Sequence, residues 1–209
     1  MLCRPLKTKK LSDKIYAVKT GVSNFYICDA GDCLIAFDSG TSESLARKEL
    51  EKLSIDPDDV KYVFLTHSDY DHAGGLELFK NAAVYVSSRE VPLISGQKAR
   101  FLRHIHNTGF EGYITMEDAQ IIQAGSCTVK MILTPGHTPG SSCFLAGNEM
   151  LFCGDALRLT SGGGTAPFLF FLNMDHAQSR RSLNMLKETG VLNQAKYILT
   201  AHTGIQKKQ

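Results

Sequence analysis

The segment Thr66-His67-Ser68-Asp69-Tyr70-Asp71-His72-Ala73-Gly74-Gly75 constrains this chain more than any other. It follows the continuous apolar run Tyr62-Val63-Phe64-Leu65, which reads as a buried strand. Four side chains able to ligate a metal, His67, Asp69, Asp71 and His72, lie within six residues at the end of that strand. Charged groups there are costly to desolvate unless something compensates them. Alternation at the strand end lets His67 and Asp69 point one way, and a Gly-bounded turn aims Asp71 and His72 at a neighbouring point. Neutral imidazoles and carboxylates are ligands that divalent zinc, iron or manganese accept. The other reading is a polar cap on a helix N-terminus, with Asp69 or Asp71 as the capping residue.

Three later segments repeat the pattern. Thr134-Pro135-Gly136-His137-Thr138-Pro139-Gly140 follows the apolar residues 129–133, and its prolines and glycines hold one histidine in a stiff loop. Phe152-Cys153-Gly154-Asp155 sets a carboxylate at the tip of another apolar strand, and Ile198-Leu199-Thr200-Ala201-His202 does the same with a final histidine. Each alone is weak, because a lone His or Asp at a strand end is commonly a turn or capping residue. Together, four strands deliver ligand-type residues from their carboxyl ends, where open α/β sheets bind ligands.

The surroundings read as an α/β protein. Residues 14–19, 25–28 and 33–37 suggest an antiparallel meander with a turn at Asp29-Ala30-Gly31-Asp32. Thr41 or Ser42 caps a helix over 43–53, which ends at Asp56-Pro57-Asp58-Asp59. Further strands are predicted at 84–86, 120–123, 127–133, 142–145, 150–153 and 197–199, with helices over 88–103 and 175–187. The order hints at a duplicated β/α unit inside one domain spanning 1–209. Gly162-Gly163-Gly164 lacks the lysine of a P-loop and reads as a mobile rim.

A net charge of +2 is too small to require nucleic acid or an anionic membrane as partner. The six cysteines show no C-x-x-C spacing, which favours a reduced, cytoplasmic setting without a disulfide framework. No apolar h-region follows the N-terminal lysines, and the longest apolar stretch, 166–172, is too short to cross a bilayer.

The ordered set Thr-His-x-Asp-x-Asp-His-x-Gly-Gly, Pro-Gly-His-Thr-Pro-Gly-Ser, Gly-Asp and a late His runs from about residue 25 to 204. It resembles the metallo-β-lactamase superfamily, and within it the small hydroxyacylglutathione-hydrolase-like (glyoxalase II-like) members. The resemblance implies a four-layer αββα sandwich, two mixed sheets with helices on the outer faces, and a dinuclear centre on one edge. It implies that His67, Asp69 and His137 hold a first metal, that Asp71, His72 and His202 hold a second, and that Asp155 bridges them. Asp38 matches a family aspartate that is usually structural. The implied cofactors are two divalent metal ions, zinc foremost. Most hydrolases of the family carry His where this chain has Asp69, and the flavodiiron branch carries Glu. A carboxylate there tilts the site toward iron or manganese. Ala201-His202 replaces the commoner Gly-His. The helical domain that holds glutathione in full-length glyoxalase II has no counterpart in these residues, which argues against S-lactoylglutathione as substrate.

On this reading a metal-bound hydroxide cleaves an ester, thioester, lactone or phosphodiester bond of a small molecule. Two cations lower the pKa of a shared water from about 15.7 toward about 7. Asp71, as the catalytic residue, accepts a hydrogen bond from the resulting hydroxide. The alternative is an iron-dependent oxidoreductase, flavodiiron- or persulfide-dioxygenase-like, on the same scaffold. Against it, the chain has no flavodoxin-like domain, and Asp is not Glu. No G-x-S-x-G nucleophile motif is present. His104 and His106 resemble a ligand pair but match nothing in the family pattern and read as exposed histidines. His176 reads as a helix start. Arg158 either faces the site and holds an anionic substrate group or makes a structural ion pair. Tyr70 either lines the cleft or packs. The apolar residues 168–172 cover the substrate, pair with another subunit in a homodimer, or form core.

Overall fold

The computed structural model describes residues 3–100 and 108–208. The apolar runs pair into two mixed sheets. The first holds Lys9–Lys10 (β1), Ile15–Thr20 (β2), Ser23–Asp29 (β3), Leu34–Phe37 (β4), Val60–Leu65 (β5), Ala83–Ser87 (β6) and Tyr113–Met116 (β7), side by side in that order. β2 to β4 form the expected antiparallel meander, β1 adds an antiparallel edge that was not expected, and β4 through β7 run parallel. The second sheet contains Ile121–Ala124 (β8), Cys127–Leu133 (β9), Ser142–Ala146 (β10) and Met150–Phe152 (β11). After the hairpin Arg158–Leu159 (β12) with Thr165–Ala166 (β13), the chain adds Tyr197–Thr200 (β14) and Gly204–Lys207 (β15). Its spatial order is β15-β14-β11-β10-β9-β8, with β11 and β14 the parallel pair.

Alternation along the strands sends one set of side chains between the sheets. Tyr26, Phe37, Phe64, Met131, Phe144, Phe152 and Leu199 fill that middle layer. Phe37 and Phe152, from opposite sheets, stack with centroids 3.6 Å apart and planes 7° apart. The outer faces are covered by helices. Glu43–Glu51 (α1) buries Ala46 and Leu50 against Val63, Leu65, Val84 and Val86 of the first sheet. The single turns Tyr70–Ala73 (α2) and Val91–Ile94 (α3) follow β5 and β6. His176–Glu188 (α4) and Val191–Gln194 (α5) bury Leu183, Leu186, Val191 and Leu192 against Leu151, Cys153 and Ile198 of the second sheet. Three apolar clusters between four layers make this the αββα sandwich. No helix among the described residues is long and apolar enough to cross a membrane, and all six cysteines are free thiols.

The largest correction concerns the helix expected over 88–103. Its described part is a 3₁₀ turn at Ser88–Glu90 and the short α3, after which Gly96 takes φ +73° and turns the chain away. The rest of that span, with His104 and His106, lies outside the described residues. Ser42, not Thr41, caps α1, accepting from Leu45 N at 3.4 Å, while Thr41 Oγ1 donates to Thr20 O at 2.8 Å. β7, β15 and the β12–β13 hairpin carry too little alternating apolar character to have been read as strands.

Two buried carboxylates fasten the loops at the carboxyl ends of the strands. Asp38, just past β4, accepts from Thr66 N at 2.7 Å and from Thr66 Oγ1 at 2.9 Å. It sits at φ +66°, a left-handed conformation that aspartate tolerates better than most residues. Glu90, fully buried, accepts from Ser68 N (2.9 Å), Ser68 Oγ (2.7 Å), Thr138 Oγ1 (2.7 Å) and Gly140 N (3.1 Å). It thereby ties the loop after β5 to the loop after β9. A Cβ on Gly140 would lie 2.3 Å from Glu90 N, so this approach requires glycine. Glu90→Ala leaves buried donors without an acceptor, each costing about 1–3 kcal/mol. The expected loss of stability, measured by urea denaturation, is therefore roughly 3 kcal/mol or more. A loss under about 1 kcal/mol would mean the loops hold without this tie.

Candidate metal centre

The four ligand-bearing loops leave their strands on one edge of the sandwich. After β5, the backbone passes His67 and Ser68 and closes into α2. Asp69 occupies the cap position of that turn but makes no side-chain cap bond, and Asp71 lies within the turn. The helix-cap reading therefore does not describe either aspartate: Asp71 lines the cleft, and Asp69 lines it with its carboxylate held by Arg100. After β11, Gly154 adopts φ +47° so close to Thr66 that a Cβ would lie 2.3 Å from its Oγ1. That packing sets Asp155 beside the first loop.

All seven residues singled out in the sequence come together. His67, Asp69 and His137 offer donor atoms within 4.8 Å of one another, and so do Asp71, His72 and His202. Asp155 stands between the two sets: its Oδ2 is 3.4 Å from His137 Nε2, and its Oδ1 is 3.2 Å from His202 Nε2 and 3.7 Å from His72 Nε2.

Each imidazole is oriented from behind by its Nδ1. His72 Nδ1 meets Asp38 Oδ2 at 2.8 Å, His202 Nδ1 meets Val22 O at 2.8 Å, and His137 Nδ1 meets Asn173 Oδ1 at 3.1 Å. His67 Nδ1 lies 3.1 Å from Thr66 Oγ1, whose hydroxyl is held by Asp38. With Nδ1 engaged, Nε2 is the atom presented to the cleft. His67 Nε2, His72 Nε2 and Asp155 Oδ1 are buried and make no hydrogen bond among the described residues. Buried polar atoms are rarely left so. A divalent cation accepts these donor types, so the residues fit metal ions.

The charges agree. Burial opposes ionisation of Asp155, yet His202, His72 and His137 hold its carboxyl well below the usual range. Burial likewise opposes charge on His72, but Asp71, Asp38 and Asp155 raise it to about 10. Burial would lower His202 too, and Asp155 raises it. The carboxylates thus draw positive charge onto His72 and His202.

A cleft of about 490 Å³ opens over these groups, walled by Cys3, Val22, Thr41, Tyr70, Phe168 and Leu172. Tyr70 lines it and is half exposed. Phe168 is buried and packs its ring on His137 (5.3 Å) and His202 (5.2 Å), while Phe170 and Phe171 stand exposed. Arg158 does not line this cleft; with Arg4, Thr160 and Ser161 it lines a second cavity of about 420 Å³ that reaches Leu169 and Thr203. His176 opens α4, behind Asp175 as its cap. Sequence reasoning missed Glu90, Asn173 and Arg100. Asn173 closes the apolar run 168–172, a polar residue where the chain turns back to the site. Arg100, buried against Asp69 and His137, has no local signal at all.

Comparison with known proteins agrees with this geometry. The family model of the metallo-beta-lactamase superfamily matches residues 18–202. A probable polyketide biosynthesis zinc-dependent hydrolase, BaeB of Bacillus velezensis, is 32% identical over 62% of this chain and 52% of its own. A probable hydroxyacylglutathione hydrolase, glo2 of Schizosaccharomyces pombe, is 29% identical over 69% of this chain and 52% of its own. The chain spans about half the length of both relatives. A solved B3 metallo-beta-lactamase with an active-site glutamic acid shares the fold at TM-score 0.73, 19% identity, covering 100% of this chain and 85% of that one. The chain belongs to the metallo-beta-lactamase superfamily.

Proposed function

We propose that this protein is a metal-dependent hydrolase that opens an ester, thioester, lactone or phosphodiester bond of a small molecule. The observation that carries the reading is the set of four imidazoles, each held at Nδ1, whose Nε2 atoms converge with Asp69, Asp71 and Asp155. His67, Asp69 and His137 would hold one ion, and Asp71, His72 and His202 another, with Asp155 shared. Zinc is the first candidate, in line with the name of the Bacillus velezensis relative, and Asp69 admits iron or manganese.

When bound, such cations activate water near neutral pH and act as Lewis acids toward a carbonyl or phosphoryl oxygen. The chain's own residues do the rest. Asp71, its side chain about a quarter exposed and its Oδ2 3.3 Å from His202 Nε2, faces the cleft and accepts the proton side of the attacking water. Asp155, buried, keeps the two donor sets in register. Phe168 screens His137 and His202 from bulk water, and the apolar wall suits a substrate with an apolar portion. The arginines of the neighbouring cavity suit an anionic substituent on the same molecule. The oxidoreductase alternative rests on Asp69 alone, and iron with oxygen consumption would mark it.

His67→Ala and Asp155→Ala are expected to lower metal content, measured by elemental analysis, and to abolish turnover of generic ester substrates while circular dichroism stays native. Unchanged metal stoichiometry in both variants counts against the reading. Arg158→Ala is expected to raise KM roughly tenfold for a carboxylate- or phosphate-bearing substrate, about 1.4 kcal/mol, and to leave kcat and neutral substrates unchanged. Equal effects on charged and neutral substrates would remove the second cavity from substrate binding.

A further inference from the structure

The two donor sets differ in one respect: the first is already engaged by a cation of the chain itself. Arg100 Nε donates to Asp69 Oδ1 at 2.6 Å, and its Nη2 donates to Asp69 Oδ2 at 3.1 Å. The same Nη2 lies 3.1 Å from His137 Nε2 and donates to Leu172 O at 2.9 Å. His137 Nδ1 donates to Asn173 Oδ1, which leaves Nε2 as the acceptor of the neutral ring. Asp69 Oδ2 lies only 3.1 Å from that Nε2. Two acceptors so close need a positive group between them, and Nη2 lies 3.1 Å from each, its two hydrogens shared among them and Leu172 O.

An ion ligated by Asp69 and His137 needs the space this nitrogen takes. A guanidinium keeps its charge at any physiological pH, so loss of a proton does not clear the position. The second set has no such occupant. Among the described residues, no lysine or arginine forms an ion pair with Asp71 or Asp155; the side chains that meet them are the imidazoles of His72, His137 and His202.

We propose that Arg100 is a built-in competitor for the first metal ion, so that the two positions are unequal. Metal is retained at Asp71, His72, His202 and Asp155, and reaches Asp69 and His137 only when the guanidinium withdraws. The inference rests on the metal-centre reading above and adds an order of filling to it. It also gives Asp69 a reason to be a carboxylate. A histidine there offers no bidentate partner to an arginine, whereas Asp69 serves the guanidinium or an ion in turn.

The test is zinc titration of the full chain, stripped with chelator, followed by calorimetry or competition with a chromophoric chelator. Wild type is expected to take one zinc tightly and a second at least tenfold more weakly. Arg100→Met should tighten the weak step tenfold or more and leave the tight step in place. It should also lower the melting temperature of the metal-free form, because Asp69 then stays buried without its cation, and zinc should restore it. Arg100→Lys keeps the charge but not the two-pronged contact, and should tighten the weak step by less. If Arg100→Met does not fold, the lysine variant carries the test. Two equal steps in wild type, or a weak step unmoved by the folded variants, overturns the competitor while leaving the hydrolase reading intact. Absence of zinc binding in every variant overturns both.

Discussion

Burial of negative charge at one edge of the sandwich governs everything around it. Asp38, Asp69, Asp71 and Asp155 crowd the carboxyl ends of β4, β5 and β11 with water partly or wholly excluded. Isolated carboxylates in such a place are prohibitively costly, and they stay ionised only where positive charge or hydrogen-bond donors surround them. The chain answers with four imidazoles and one guanidinium, and His72 and His202 are drawn toward their protonated forms. A divalent cation meets the same requirement more compactly. Fold and chemistry are thereby linked: the loops close only if the charges they carry are balanced.

The balance is kept by residues that never face the cleft. Asp38 holds the backbone and hydroxyl of Thr66 and the far side of His72, and through Thr66 it orients His67. One carboxylate therefore sets an imidazole in each donor set. Glu90 performs the mechanical counterpart, joining the loop of His67 to the loop of His137 across the gap between the sheets. Such supporting contacts fix ring direction and tautomer, and their loss is commonly felt as weakened metal affinity. The stacked Phe37 and Phe152 keep the two sheets at the spacing these ties require.

Much of this was legible in the residues. The seven donors were marked by repetition: apolar strands, each ending in a residue type that strand ends do not need. Apolar runs and periodicity likewise gave β2–β6, β8–β11, β14 and the two long helices, because their buried faces are marked in the residues. What escaped were contacts made at a distance. Glu90 and Arg100 sit in stretches with no motif, and their roles depend on which loop the fold lays against them. Residues 88–103 have enough helix-forming character to suggest a long helix, yet in the described part, 88–100, Gly96 and the tie at Glu90 override local preference. Arg158 was near Asp155 in sequence but turned into the adjoining cavity by the β12–β13 hairpin.

The most direct measurement is anomalous X-ray scattering at the zinc absorption edge from crystals of the protein grown with zinc. A peak bounded by His72 Nε2, His202 Nε2, Asp71 and Asp155 is the expected result. Crystals that show no peak there, with the imidazole Nε2 atoms turned away from one another, would contradict it.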